Sequence, residues 1–85
     1  MKKAEGRGMD PYQALANAIV QNAAEDYRAA LKRLNNDPEN IIAKAEIKEL
    51  KRFFRSQWYE TLTSLDGEYL MKMLEKEYPD VDTGE

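Results

Sequence analysis

The chain has 85 residues, a net charge of −3, and neither cysteine nor histidine, which makes it one small domain at the size where a single core only just suffices. A disulfide framework, a thiolate zinc site and a cysteine nucleophile are thereby excluded, and the commonest general base and metal ligand is missing. A helical chain this short also has little room for an enclosed pocket, so the expectation is a protein that is not an enzyme and carries no metal or cofactor.

No apolar run approaches the ~20 residues that span a bilayer, and the start, MKKAEGRG, has positive charge without the apolar segment of a secretory signal. The expected location is therefore the cytoplasm of the cell that makes the protein, away from any membrane. The charge is unevenly spread. Residues 1–8 carry +2, residues 9–36 carry 0, residues 37–55 carry +1 and residues 56–85 carry −6. An acidic chain is a poor general ligand for nucleic acid, whose binding is dominated by phosphate neutralisation.

Residues 1–9 read as a flexible N-terminus. Asp10-Pro11 then supplies an N-cap followed by proline at the first helical position, where the missing N–H costs nothing. Tyr12, Leu15, Ala16, Ile19, Val20, Ala23, Ala24, Tyr27, Ala30, Leu31 and Leu34 follow at helical spacing with a wide apolar face. The pattern predicts a first helix over residues 11–34, ended by Asn35-Asn36. Within it Ala16, Ala23, Ala24 and Ala30 line a narrow stripe beside Val20, Tyr27 and Leu31. Small residues admit a close helix, so the expected state is a homo-oligomer, unless the other helices of the same chain cover both stripes.

Asp37-Pro38 repeats the start signal and predicts a second helix from Pro38 to about Arg55, with an inner stripe of Ala43, Ile47, Leu50 and Phe54. Beside that stripe Lys44, Lys48, Lys51 and Arg55 are spaced 4, 3 and 4 apart and share a face. Two readings stay open here. The lysine stems cover the edge of the core while their charges remain in water, or the charges form a binding surface.

Ser56 is a candidate cap for a short helix over residues 57–63, the alternative being that the second helix continues through it. Ser64-Leu65-Asp66-Gly67 is a turn, with Asp66 the cap of a last helix running from Gly67 to about Tyr78, where Pro79 stops it. Residues 79–85 read as an acidic, flexible tail. The predicted architecture is all-α: a small three- to four-helix bundle in residues 10–78, with two long helices, a short one and a C-terminal one. Its expected core includes Ile47, Leu50, Phe54, Leu62, Leu70 and Leu74.

Phe53, Phe54, Trp58 and Tyr59 follow the basic stripe directly. Large aromatics in a small domain serve as core. They also have a functional reading. Arg52 and Arg55 form a fork for phosphate or carboxylate, Ser56 opens a helix N-terminus, and Trp58 or Tyr59 stacks on a base. The candidate partner-binding residues are Lys48, Lys51, Arg52, Arg55, Ser56, Trp58 and Tyr59.

The stretch FFRSQWYETLTSLDGEYLMKMLEKE, with DYRAALKRL before it, resembles a family of short, mostly uncharacterised proteins encoded in prophages and mobile elements of Firmicutes. The matching positions are Phe53 to Ser56, Trp58, Tyr59, Leu62, Thr63 and Asp66 to Leu70, and the likeness spans roughly residues 18–77. The resemblance implies a phage or mobile-element accessory protein. Such proteins often act by binding a host protein or a nucleotide signal, as counter-defence inhibitors or signal sponges. Two alternatives stand beside this one: a small DNA-associated regulator of helix-turn-helix type, and a structural oligomeric phage component. Against the DNA reading, the last helix holds Glu68, Glu75 and Glu77 beside only Lys72 and Lys76.

Overall fold

A computed structural model describes residues 10–84, and the expectation for residues 1–9 lies outside them. Four helices follow in chain order: α1 (Pro11–Asn36), α2 (Ile41–Phe54), α3 (Gln57–Leu62) and α4 (Gly67–Glu75). Among the described residues there is no strand, so the all-α bundle is the fold.

Local chemistry sets the boundaries. The Asp10 carboxylate accepts from the Gln13 N–H at 2.8 Å and caps α1. The second helix starts three residues later than the Asp37-Pro38 signal predicts. Pro38 instead takes the second position of a four-residue turn closed by the Asn40 N–H donating to the Asp37 carbonyl at 3.0 Å. Asn40 is the true N-cap, its side chain accepting from the Ala43 N–H at 3.0 Å. Ser56 and Asp66 cap α3 and α4 as expected, accepting from the Tyr59 and Glu68 N–H groups. Beyond Glu75 the last helix does not run on to Tyr78. The Glu77 and Tyr78 N–H groups bond three residues back, to Leu74 and Glu75, which tightens the chain into turns before Pro79.

The helices α1 and α2 pack antiparallel. Arg33 pairs with Glu46 near the connecting turn, and Tyr27 meets Phe54 farther along. Both α3 and α4 close over the open side of this hairpin and contact both of its helices. The core consists of Val20, Ala23, Tyr27, Ala30, Leu31 and Leu34 of α1, with Ala43, Ile47, Phe54, Tyr59, Met71 and Leu74. The alanine stripe thus meets helices of its own chain at Ala23 and Ala30.

Ile47, Phe54 and Leu74 are buried as expected, whereas Leu50, Leu62 and Leu70 are half-buried and flank the core. On α2 the buried seam is Ala43, Ile47, Lys51 and Phe54. Leu50 faces a shallow depression lined by charged side chains, Asp26, Arg33, Glu46 and Glu49. Lys51 is covered because the segment after α4 returns over it. Residues 79–84, expected as a mobile tail, turn back through the Val81 N–H bond to the Tyr78 carbonyl, and Val81 packs on the core.

One contact fixes the α3–α4 corner. A Cβ built on Gly67 would sit 2.1 Å from the backbone carbonyl oxygen of Phe54 and 3.3 Å from the Tyr59 ring. No side-chain rotation relieves a clash with backbone. Gly67→Ala is therefore expected to destabilise the fold by about 1–3 kcal/mol or more, despite the ~1 kcal/mol that alanine gains over glycine in a helix. Urea denaturation measures it, and an unchanged or raised midpoint contradicts the close approach.

Candidate anion-binding groove

The basic stripe of α2 lines an open trough of about 590 Å³. Leu34 and Ile47 form its apolar floor. Lys44, Lys48, Lys51, Arg52 and Arg55 lie along it, and Asp82, Thr83 and Gly84 form its far wall. Among the described lining residues, the five cations thus share the trough with the Asp82 carboxylate. They share a trough because their spacing keeps them on one side of a straight helix while the apolar seam next to them is pressed against α1.

The five are not equivalent. Lys51 is only 6 % exposed, and its ammonium donates to the Thr83 carbonyl at 3.0 Å and to Thr83 Oγ1 at 2.7 Å. A buried ammonium requires such partners. Arg52 pairs with Glu49 at 3.1 Å within its own helix. Arg55 pairs with Glu68 of α4. These exposed pairs contribute about 0–1 kcal/mol each, so a competing anion displaces the carboxylates at small cost. Lys44 and Lys48 are exposed and have no hydrogen bond or ion pair with any described residue.

The other three candidate residues fall elsewhere. Ser56 is a structural cap: its hydroxyl donates to the Phe53 carbonyl at 2.7 Å and accepts from the Tyr59 N–H at 3.1 Å. Those bonds occupy the start of α3, leaving no open phosphate cradle. Tyr59 is a core residue, its ring packed edge-on to Phe53 and Phe54 with centroids 5.6 and 5.5 Å away, so it cannot stack on a base. Trp58 is 58 % exposed but leans edge-on against Phe53 at 5.5 Å and does not line the groove. The arginine fork and the aromatic platform that sequence placed together are therefore separate. Asp82 and Thr83 were missed, since nothing in an acidic terminus marks it as a wall.

Comparison with family models, curated proteins and solved structures finds no match for this chain.

The Tyr59 hydroxyl is buried and has no hydrogen-bond partner among the described residues. Burial pushes its phenol pKa up, and the Asp66 carboxylate adds to the rise. Removing an unsatisfied buried hydroxyl removes its desolvation cost, so Tyr59→Phe is expected to stabilise the fold by about 1 kcal/mol, or about 4–8 °C in Tm for a domain of this size. The raised pKa also sets a sign. Above the unfolded value near 10 the unfolded state holds fewer protons at this site, so wild-type stability falls as pH rises through that range. The Phe variant should lose that part of the alkaline decline. Thermal melts across pH check both, and a lowered Tm at neutral pH contradicts the orphaned hydroxyl.

Proposed function

We propose that this chain is a non-enzymatic binding protein whose α2 groove takes an acidic segment of a partner protein. The observation that carries the reading is the pair of exposed lysines, Lys44 and Lys48, that line the basic groove with no hydrogen bond or ion pair to any described residue. The chain's own acidic terminus illustrates the fit. The backbone at Asp82 and Thr83 already lies along the groove, and the Thr83 carbonyl accepts from the Lys51 ammonium. A nucleotide is the less favoured ligand because no aromatic side chain lines the groove to stack on a base. The DNA-reading alternative is weaker still, since α4 is nine residues long and carries Glu68 and Glu75. The likeness of Phe53 to Leu70 to phage and mobile-element proteins supplies a setting: an accessory protein acting in the host cytoplasm, with a component of host defence as the partner.

The test uses a fluorescent peptide rich in aspartate and glutamate, titrated beside linear and cyclic nucleotides. Peptide binding is expected to weaken as salt rises. Lys44→Glu with Lys48→Glu should weaken it about tenfold or more, with unchanged helicity because both side chains are exposed. No peptide binding at low salt, or equal binding by the double variant, refutes the reading. Nucleotide binding that depends on the same lysines replaces the peptide with a phosphate ligand.

A further inference from the structure

Burial along α1 begins only at Val20. Before it, Tyr12 and Leu15 are 86 % and 59 % exposed, and Ala16 and Ile19 are half-exposed. At 1.5 Å per residue the helix is about 39 Å long in a molecule 53 Å in its longest dimension and 23 × 20 Å across. The amino-terminal turns thus project as an arm beyond the bundle. Tyr12, Leu15, Ala16 and Ile19 continue the apolar side that packs on the other helices lower down, with Tyr12 and Leu15 exposed and Ala16 and Ile19 only partly covered.

We propose that this arm pairs antiparallel with the same arm of a second copy. The inference is independent of the groove. Three observations select this occupant. First, from Pro11 to Ala24 the helix has no charged residue, in a chain that is 34 % charged. A lipid surface is matched by a cationic polar face, and here that face is Gln13, Asn17, Gln21 and Asn22. Second, the nine residues ahead of Asp10 include Lys2, Lys3, Glu5 and Arg7 with few large apolar side chains, a poor cover by composition. Third, the stripe is self-complementary. With the two-fold axis between Leu15 and Ala16, Tyr12 meets Ile19 of the other copy and Leu15 meets Ala16, large against smaller, and the lone charge, Asp10, comes opposite neutral Gln21. This is an isologous interface without a like-charge encounter. Small Ala16 at the centre allows the backbones to approach closely.

The area sets the strength. Tyr12 alone offers on the order of 200 Å², and the stripe with its flanks about 500 Å² per copy, so a pair buries about 1,000 Å², the lower end for a specific interface. The pairing is therefore weak and concentration-dependent. Light scattering from about 10 µM to about 1 mM, the range suited to an interface at that lower limit, should show the mass rising from the 9.8 kDa chain toward twice that value. Tyr12→Ala with Leu15→Glu should stay monomeric at all concentrations with wild-type helicity, because both side chains lie outside the core. The chain has no native cysteine, which permits a test of register. A mixture of Leu15→Cys and Ala16→Cys chains should form a disulfide-linked heterodimer well above the level given by Ala14→Cys, which sits on the opposite side of the arm. A wild type that stays monomeric to the top concentration, a double variant that associates equally, or equal cross-linking through Ala14→Cys overturns the proposal.

Discussion

The contact of Gly67 with the Phe54 carbonyl is the constraint on which the rest of this molecule depends. It lets the first turn of α4 lie directly on the last turn of α2, where a side chain on residue 67 would hold them apart. Once α4 starts there, its direction brings Glu75 to the Tyr27 hydroxyl at 2.6 Å and Glu77 to Arg28 at 3.0 and 3.1 Å. The chain then has nowhere to go but back across α2. That return buries Lys51, builds the far wall of the groove and turns an acidic terminus into part of the structure.

The same corner shows how a small chain finds enough core. Tyr27, Phe53, Phe54, Trp58 and Tyr59 form a connected set of ring contacts, most of them edge-on, with centroids 5.4–5.8 Å apart. Each such pair adds about 0.5–1.5 kcal/mol beyond the area it buries. The helices α1, α2 and α3 are joined here by rings long enough to bridge them. The unpartnered Tyr59 hydroxyl is tolerated because the ring that carries it touches both phenylalanines, and burying such a ring contributes as much as or more than a lone hydroxyl costs.

Much of the fold was legible in the sequence because caps and periodicity are local. Asp10, Ser56 and Asp66 mark helix starts by residue type and offset, and the structure places helices at each. Asp37-Pro38 misled because aspartate before proline suits a turn as well as a helix start, and Asn40 behind it was the better cap. The basic stripe was legible as a shared helix face, since spacing alone decides that. Which of its members would be buried was not. Lys51 is covered by residues 32 positions away in sequence, and no local pattern reports a contact of that range. Tyr59 was misplaced for a related reason: the side on which α3 packs is set by the Gly67 corner, and six residues are too few to show an apolar face by periodicity.

The two surfaces divide the chemistry of the chain between them. The arm is uncharged from Pro11 to Ala24, so the association proposed for it would be driven by area and little affected by salt. The groove is cationic and open, so the occupancy proposed for it would follow ionic strength. They also lie apart: the groove runs along α2 beside the returning terminus, while the arm projects past the end of the bundle where Tyr27 and Phe54 meet. The proposed pairing through the arms would leave both grooves open, and two weak sites held on one particle would act at a high effective concentration toward a partner with repeated acidic segments. A core near the lower size limit cannot support a deep pocket, but an exposed helix side and a half-covered cationic face require little core. The surfaces this chain presents are those that a small helical domain can support without weakening its own packing.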